Sequence, residues 1–447
     1  MSKTYIRFVA EEVSCKTEEV LYREELKEKI IISPKTIMEL GMSHREQIDL
    51  VENAQNTILK SQSKYLDDGV NNCQECGSKL QKNGHIKSEF FSVFTDHKVP
   101  VQRRVCSNSE CGKRRVPSIY SLFGTTIHPE LAKIQSEISA NQTYRQSEKT
   151  LNSVCSRSRK VNNNERLQQV SASVGNHVTV EKINESEQDD ANELHLQVDG
   201  GHIKDKDPEK RSFEVMTAVA YRPENVIKNQ DTYRGEITSK HCAASALDDS
   251  QVTIKKHTLL ACEKEGLSEK TKVTALCDGA KNCWSVVDVL KGKCSSIVRI
   301  LDWFHLAMKI ENISLPEKLK SKLIRIKWHL WRGNVDKALK RLDQLQKSVN
   351  SEKETLKLQK LKTYISNNKD YIVNYKERMK NGLIFTSNIA ESNVESLINQ
   401  RCKGHKHMRW TREGIQPLLQ IRASIFSNEW VENWKNYIML ALSQTAN

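Results

Sequence analysis

The second half of the chain carries short apolar runs separated by polar turns. Residues 194–203, LHLQVDGGHI, alternate between apolar and polar positions and then place Asp199 before two glycines, which predicts a strand that ends on an Asp-Gly pair. Residues 212–221, SFEVMTAVAY, form the next apolar run, after the polar turn KDKDPEKR. Alternation with β-branched residues is typical of strands. Two strands are therefore predicted here, and a third is expected near Tyr233–Lys240.

A helix is predicted over residues 243–265, and two further apolar runs follow it. Residues 272–277, KVTALC, form a β-branched run that ends on Asp278 and a glycine, and Ser295–His305 is predicted as another strand. Three strands of a meander, a helix, a strand, a helix and a strand make a ribonuclease H-like α/β arrangement. In this arrangement the first and fourth strands are neighbours, so Asp199 and Asp278 are expected side by side.

The region after these strands is predicted to be helical. About 80 mostly helical residues lie between His305 and Thr386, and they include PEKLKSKLIRIKWHLWRGNVDKALKRLDQL. Residues 388–402 are predicted to form a further helix, with Ser387 or Asn388 as its N-cap.

The first half contains a predicted β-hairpin and two predicted helices. Extended apolar runs at Phe90–Phe94 and Val99–Val105 are separated by a polar turn, as in a hairpin. Pro129 to about Thr150 and residues 164–180 are predicted as helices joined by the basic loop SRSRKVNNNE. This layout fits a helix-turn-helix-like DNA reader and, nearly as well, an ordinary helical hairpin. Residues 181–192 are acidic and polar and are expected to form a domain boundary.

The composition favours a globular protein with a polyanionic partner. The chain has 447 residues, 28% of them charged and 37% hydrophobic, and a net charge of +14. Basic proteins attract polyanions, most often nucleic acid, although a generally lysine-rich surface gives the same charge. No apolar run reaches the length of about 18 residues that a membrane span needs, and the N-terminal stretch lacks the apolar core of a signal peptide. We therefore expect a cytoplasmic, nucleoid-associated protein that does not contact a membrane.

Four of the twelve cysteines form a pattern. Cys73 and Cys76 stand in CQEC, Cys106 and Cys111 stand in CSNSEC, and a glycine follows each pair. Two such loops brought together make a tetrahedral thiolate site for Zn²⁺. With a predicted hairpin between the pairs, the layout is that of a zinc ribbon. Four unrelated buried cysteines are the alternative.

Basic residues flank the second cysteine pair, in the stretch RRVCSNSECGKRRVP. A basic rim of this kind suits contacts with phosphates, although it is also typical of a solvated face. The DNA-binding candidates in this stretch are Arg103, Arg104, Arg114 and Arg115.

The two Asp-Gly pairs at strand ends allow two interpretations, because an Asp-Gly pair is commonly a turn but also suits a metal ligand. A site for two Mg²⁺ ions usually needs a third carboxylate, since Mg²⁺ takes oxygen ligands and leaves places for water and phosphate oxygens. On the predicted helix 388–402, Glu391 and Glu395 lie one turn apart. Glu391 is nearer the apolar face. The predicted ligands of Mg²⁺ or Mn²⁺ are Asp199, Asp278 and Glu391.

Four stretches carry a resemblance to a known family. They are the cysteine module with PSIYSLFG and ASVGNHV after it, then VDGG, then CDGAKNCW with ILDWFH, and finally AESNVESLINQRCKGHKHMRWTREGIQPLLQIRA. Their order and spacing resemble those of bacterial insertion-sequence transposases of the DDE type, in the Mutator-like group and most like the ISKra type. The resemblance spans about residues 70–425. Glu391 precedes Arg401 by ten residues, as in that family, and Asp302 and His305 match its Asp-aromatic-aromatic-His.

This resemblance implies a function and roles for particular residues. Such an enzyme cuts DNA at the ends of its element and joins the freed 3′-hydroxyl to target DNA, with two Mg²⁺ or Mn²⁺ ions and no covalent protein–DNA bond. Double-stranded DNA is the implied partner, and the joining of two ends implies a homodimer or a higher oligomer. The implied catalytic residues are Asp199, Asp278, Glu391 and His305. The implied DNA contacts near the site are Arg401, Lys403, Lys406, Arg409, Trp410 and Arg412.

Two rival functions stay open at this point. One is a zinc-ribbon DNA-binding protein without catalysis, either a decayed transposase or a regulator. The other is a ribonuclease H-like nuclease that cuts DNA without strand transfer.

The expected architecture has five parts. They are an N-terminal helical region (1–70), a zinc ribbon (71–125), a helical, helix-turn-helix-like DNA-binding region (126–182), a ribonuclease H-like catalytic domain (193–425) with an all-helical insertion at about 306–386, and a C-terminal tail helix (426–447).

Overall fold

The chain forms two compact units in a computed structural model. The first unit comprises residues 1–171 with 435–447, and the second comprises residues 172–434. Within the described part of the chain, no helix is long and apolar enough to cross a membrane. The residues that the structure describes are 4–155, 157–178, 189–228, 235–387, 395–403 and 408–444.

The first unit begins with strands and continues with helices. Its strands are β1 (Thr4–Val13), β2 (Val20–Ile31), β3 (Leu80–Phe91), β4 (Asp96–Cys106) and β5 (Arg114–Arg115). Its helices are α1 (His44–Gln62), α2 (Ile119–Phe123), α3 (Pro129–Asn141), α4 (Tyr144–Val154) and the start of α5 (Asn164–His177). Strands β1 and β2 form an antiparallel hairpin, and β3, β4 and β5 form a separate antiparallel sheet in that order.

Three predictions in this unit have clear outcomes. The hairpin predicted between the cysteine pairs is confirmed as β3 and β4. The N-terminal region is only partly helical, because residues 4–31 are mostly strand and α1 begins only after Ser43, which caps it. The single helix predicted from Pro129 is wrong: Gln142 is extended, and the Thr143 hydroxyl accepts a hydrogen bond from the amide of Gln146 and starts a new helix.

The second unit alternates strands and helices and then becomes helical. Its strands are β6 (Glu193–Lys204), β7 (Ser212–Tyr221), β8 (Val226–Lys228), β9 (Gly235–Ile237), β10 (His241–Ser245), β11 (Lys272–Cys277) and β12 (Ser296–Leu301). Its helices are α6 (Val252–Lys264), α7 (Lys281–Val287), α8 (Trp303–Glu311), α9 (Glu317–Trp331), α10 (Val335–Lys347), α11 (Glu352–Asn367), α12 (Tyr375–Lys380), α13 (Gln400–Cys402), α14 (Arg412–Phe426) and the start of α15 (Trp430–Gln444).

A five-stranded mixed sheet is the core of this unit. Its strand order is β10-β7-β6-β11-β12. Strand β11 lies parallel to β6 on one side and to β12 on the other, while β7 is antiparallel to both of its neighbours. The apolar side chains of β6 and β11 pack with those of α6 and α7. Because β11 is central, residues 273–277 are all buried, which explains its continuous apolar run. In β6 the stretch 194–198 is buried as well, including the polar His195 and Gln197.

Two predicted elements of this unit have different boundaries in the structure. Residues 243–245 lie in the helix predicted over 243–265, but they belong to the stretch 241–245, HCAAS. They form strand β10, which pairs with β7, and the helix starts only at Val252. The strand predicted over Ser295–His305 ends at Leu301, because Asp302 caps α8 by accepting a hydrogen bond from the amide of Phe304.

The helical regions follow the prediction more closely. Helices α8 to α12 fill the predicted insertion at about 306–386, and α15 covers most of the predicted tail. Of the helix predicted at 388–402, residues 388–394 lie outside the described residues. The remainder begins with a π-helical turn, Glu395–Asn399, that continues into α13.

Candidate functional site

Three aspartates lie at the same level on three neighbouring parallel strands. Asp278 and Asp302 directly follow the ends of β11 and β12, whereas β6 does not end at Asp199 as predicted but continues to Lys204. Val198 of β6 pairs with Cys277 of β11, and Cys277 pairs with Leu301 of β12. Asp199, Asp278 and Asp302 are the next residues of these strands. The predicted adjacency of the first and fourth strands of the domain is therefore confirmed. Asp302 lies beside Asp278 because β12 is the next strand after β11 in the sheet.

Asp302 is a buried acceptor rather than an open ligand. Its side chain is only 2% exposed, and its two oxygens accept hydrogen bonds from four groups. These donors are the amide of Phe304 at 3.0 Å, Nδ1 of His305 at 2.8 Å, and the amide and hydroxyl of Ser387 at 3.0 and 2.5 Å. Because both oxygens are occupied, Asp302 is suited to orient His305 rather than to bind a metal ion.

His305 is held between two carboxylates. Its Nδ1 faces Asp302, so its Nε2 points toward Asp199, whose Oδ2 lies 4.0 Å away. Burial lowers the pKa of His305, but the hydrogen bond to Asp302 and the charges of Asp302, Asp199 and Asp278 outweigh it, and the pKa lies above its ordinary value. The imidazole is thus fixed in orientation and biased toward the charged form.

Asp199 and Asp278 each use one oxygen to bind a nearby amide. Oδ1 of Asp199 accepts a hydrogen bond from the amide of Gly200 at 2.8 Å, and Oδ1 of Asp278 accepts one from the amide of Ala280 at 2.8 Å. Burial, with a smaller contribution from the charge of Asp278, raises the pKa of Asp199. Partly buried carboxylates that repel each other are stabilised by a cation between them.

These residues line one narrow cleft. Its walls also include Gln197 and Thr217, which pattern analysis missed, since neither stands in a recognisable motif. Ser387, predicted only as a possible N-cap, also lies in the wall through its bonds to Asp302. Glu391, the predicted third ligand, lies outside the described residues. The structure therefore brings together Asp199, Asp278 and His305 of the predicted catalytic set.

The donor chemistry of the cleft fits a hard divalent ion only in part. Carboxylate oxygens from Asp199 and Asp278 are ligands that Mg²⁺ prefers. Among the described residues, however, the four predicted cysteines form the single group of three or more possible ligands whose atoms all lie within 4.8 Å of one another. The described part of the cleft thus holds two of the three predicted carboxylate ligands, Asp199 and Asp278.

The four cysteines of the first unit converge as predicted. The sulfur atoms of Cys76 and Cys106 lie 3.4 Å apart, and those of Cys73 and Cys111 lie 3.8 Å apart. Strand β4 ends on Cys106, while the other three cysteines stand in loops at the same end of the hairpin. Four thiolates at this spacing form a group that could hold a metal ion such as zinc.

The thiols of this group differ in acidity. Hydrogen bonds from the side chain and backbone of Ser78 lower the pKa of Cys76 to about 6. Burial raises the pKa of Cys106 to about 12. Four sulfur atoms this close together repel each other when deprotonated, so a cation such as Zn²⁺ could stabilise the group in its thiolate form.

Only part of the predicted basic rim is available for a ligand. Arg114 is exposed. Arg103 is half-buried and donates to the carbonyl and side chain of Asn83. Arg104 is 7% exposed and pairs with Asp67, and Arg115 pairs with Asp68 at 2.5 Å. Arg104 and Arg115 therefore fasten the 67–68 segment to the sheet.

The DNA contacts predicted at residues 401–412 also include both exposed and buried side chains. Arg409 is exposed and Lys403 is half-buried, while Lys406 lies outside the described residues. Arg401 is fully buried and lies over the ring of Trp410, which is itself buried. Both side chains therefore lie in the interior and not on an exposed basic surface.

Arg412 also has a structural role. Its guanidinium donates to the carbonyl of Ala246 at 2.6 Å and lies 4.9 Å from the ring centre of Phe213. It therefore connects the start of α14 to the mixed sheet. A charge in the sequence does not distinguish such an internal contact from a contact with phosphate.

No protein-family model matches the chain, and no curated protein matches it.

Proposed function

We propose that this protein is a DNA transposase of the DDE type that cuts DNA at the ends of an insertion sequence and joins those ends to target DNA. The observation that carries the proposal is the placement of Asp199 and Asp278 at the same level on neighbouring parallel strands. The sheet order, with three antiparallel strands beside two parallel ones, supports assignment to the ribonuclease H-like fold. The motif order that resembles the ISKra type supports the same reaction.

The predicted catalytic residues and Asp302 have separate roles in this proposed reaction. Asp199 and Asp278 provide carboxylate oxygens for Mg²⁺ or Mn²⁺, and Glu391 is proposed as the third ligand. When bound, two such ions activate the attacking oxygen and stabilise the leaving one. His305, oriented by Asp302, presents Nε2 beside Asp199. In this position it can donate a hydrogen bond to a phosphate oxygen of the scissile bond.

The first unit is proposed to bind the element ends. The four-cysteine group, holding Zn²⁺, keeps the ribbon folded, and Arg114 provides an exposed charge beside it. The net charge of +14 favours association with DNA phosphates. Helices α3 to α5 are proposed as the helix-turn-helix-like DNA-binding part, and a dimer or higher oligomer would hold the two ends.

A non-catalytic DNA-binding protein is the second candidate. One observation favours it: among the described residues, the cysteine group is a complete ligand set, whereas the cleft has two carboxylates placed for Mg²⁺. A regulator or a decayed transposase would keep the zinc ribbon and the basic surface without needing the cleft.

A cleavage and joining assay separates these candidates. The substrate is DNA carrying the sequences that flank the gene, incubated first with Mg²⁺ and then with Mn²⁺. Wild type is compared with Asp278→Asn and with Asp288→Asn, a matched control whose side chain is 44% exposed. Metal-dependent 3′-end joining that is lost only in Asp278→Asn supports the transposase. Binding without cutting by zinc-loaded wild type supports the second candidate, and cutting without joining indicates a nuclease.

A further inference from the structure

Helix α11 of the helical insertion contacts the turn that follows β11. The hydroxyl of Tyr364 donates a hydrogen bond to the backbone carbonyl of Asp278 at 2.6 Å. This carbonyl belongs to the residue whose side chain lines the cleft. Tyr364 comes from a different part of the chain and stands in no motif linked to the strand.

A second side chain at the same end of α11, that of Asn368, lies against Gly279, the residue after Asp278. Asn368, the C-cap of α11, is 3% exposed and donates to the carbonyl of Tyr364 at 3.0 Å. Gly279 has a φ of +89°, and a Cβ there would lie 2.9 Å from the side-chain nitrogen and oxygen of Asn368. The turn and the helix end are therefore in direct contact, and only glycine fits between them.

The neighbouring strand has a similar contact with α12. The hydroxyl of Tyr375, a fully buried residue, donates to the carbonyl of Leu301 at 2.8 Å, at the end of β12. Two tyrosines of the insertion thus bind the carbonyls at the ends of β11 and β12. The residue that follows each of these strands, Asp278 or Asp302, is one of the three aspartates at the same level of the sheet.

We propose that Tyr364 is a positioning residue for Asp278 and that the helical insertion sets the geometry of the cleft through it. This inference rests on the proposed function. The hydrogen bond fixes the plane of the peptide that joins Asp278 to Gly279. The Asp278 side chain accepts from the amide of Ala280 across the same turn, so its direction depends on that plane. The insertion therefore orients a carboxylate whose oxygen must lie within a fraction of an ångström of its working position.

A merely structural role for the Tyr364 hydroxyl predicts a different result. If the bond only satisfied a carbonyl, its loss would lower the stability of the protein and leave the Asp278 turn and the reaction rate of folded protein unchanged. Tyr364→Phe separates the two cases, because it keeps the ring and removes the hydroxyl. Tyr375→Phe is the matched comparison at the adjacent strand, and Tyr65→Phe, at an 82% exposed tyrosine, is the surface control.

The first measurement is hydrogen exchange on the full chain without added divalent metal. We expect the Gly279 and Ala280 amides to exchange about tenfold faster in Tyr364→Phe than in wild type. In Tyr375→Phe the increase is expected at Asp302 and Trp303, and in Tyr65→Phe at neither place. Unchanged exchange at residues 279–280 in folded Tyr364→Phe would overturn the inference.

The second measurement is cleavage of the flanking DNA with Mg²⁺. Tyr364→Phe is expected to lower the rate at saturating DNA about tenfold and leave the Kd for DNA unchanged. A change in Kd alone would contradict a positioning role. Failure of wild type to cut would reject the proposed function, while the exchange result would still decide whether Tyr364 orders the Asp278 turn.

Discussion

Gly279 follows the cleft residue Asp278 and has little space for a side chain. Its positive φ disfavours any side chain, and a Cβ would also lie 2.8 Å from Leu301 Cδ1. Gly292 has a similar φ of +76°, and a Cβ added there would have no atom within 4 Å, so it isolates the backbone contribution. The two glycines therefore allow conformational strain and steric overlap to be measured separately.

We expect Gly292→Ala to lower the free energy of unfolding by about 1–2 kcal/mol, the cost of left-handed backbone for a residue with a Cβ. Gly279→Ala should lose about 1–3 kcal/mol more, because neighbouring side chains must shift. Urea unfolding of both variants measures the difference. Equal losses would show that Leu301 and Asn368 move aside without cost.

Replacing the buried Asp302 should lower the stability of the protein more than replacing an exposed aspartate. Asp302→Asn replaces an acceptor oxygen with a donor, so two of the groups that now donate to it would lose their acceptor. We expect a loss of about 1–3 kcal/mol in the free energy of unfolding. Asp288→Asn, at an exposed ion pair with Arg299, should cost about 0–1 kcal/mol. Urea titrations compare the two, and a cost for Asp302→Asn no larger than for the control would refute the buried-acceptor role.

At the scale of elements, a cluster of ionisable side chains connects β10 to α6 and to the segment before α15. Its members are His241, Lys264, Glu265 and Glu429. Nδ1 of His241 lies 2.7 Å from Glu265 Oε1, and its Nε2 lies 3.5 Å from Glu429 Oε1. Lys264 also pairs with Glu429. Burial lowers the pKa of His241, but the two glutamates outweigh this effect and raise it to about 8. The same contacts hold the pKa of Glu429 below its usual value against its burial.

These shifts predict how stability depends on pH. The pKa of His241 is higher in the folded than in the unfolded state, so its contribution is complete below about pH 6.5 and is lost as the pH rises through about 8. The contribution of His241 to the free energy of unfolding is about 2 kcal/mol. Glu429 acts in the opposite sense, because its pKa is lower in the folded than in the unfolded state. Its contribution to the free energy of unfolding is therefore lost as the pH falls through the folded pKa.

Urea unfolding between pH 6 and pH 9 tests the histidine contribution. Wild type should lose about 2 kcal/mol more than His241→Gln across this range. His202→Gln, at an exposed position of β6, serves as the control and should follow wild type. The same pH dependence in wild type and His241→Gln would exclude His241 as the source.

The hairpin of β3 and β4 with its four-cysteine group is an element whose folding, if the group holds the proposed Zn²⁺, should depend on metal. The hairpin also contacts other parts of the first unit: Nδ1 of His97 lies 2.7 Å from Asn56 Oδ1 of α1. Arg159, whose side chain is fully buried, donates to the carbonyls of Ser92, Val93 and Thr95. Loss of the ribbon should therefore loosen α1 and the 159–162 segment as well.

We expect wild type to bind one Zn²⁺ per chain, and Cys106→Ser to bind none tightly. A chelator should make residues 73–111 and α1 accessible to protease in wild type. Cys15→Ser, at an exposed cysteine outside the group, should keep the metal. Metal analysis and limited proteolysis provide the test, and a protease-resistant metal-free protein would contradict the structural role of zinc.

At the scale of the whole molecule, the excess of positive charge should govern binding to DNA. The logarithm of the association constant for duplex DNA should fall linearly with the logarithm of salt concentration, with a slope of about −0.9 per phosphate neutralised. Arg114→Ala and Arg409→Ala, at exposed positions, should each reduce the slope by about 1. Buried Arg401→Ala should instead lower stability. Fluorescence anisotropy at several salt concentrations measures the slopes, and salt-independent binding would exclude the electrostatic mode.

The amino-acid sequence by itself determined the features that depend on local pattern. Cysteine spacing predicted the four-sulfur group, since the short loops within each pair bring sulfur atoms together over a few residues. Alternation predicted β6, and apolar runs predicted β7 and β11, because a strand in the core of a sheet must bury apolar side chains. The order of these runs was enough to predict that Asp199 and Asp278 are neighbours.

Tertiary structure decided what depends on contacts distant in the chain. The alanine-rich residues 241–245 form a strand because β7 provides backbone partners. Arg104, Arg401 and Arg412 have the same charge as Arg114, but carboxylates, carbonyls and aromatic rings of the same unit surround them. Tyr364 reaches the Asp278 carbonyl only because α11 packs against the end of β11. Such pairings depend on burial and hydrogen bonding across many residues, which no short sequence pattern encodes.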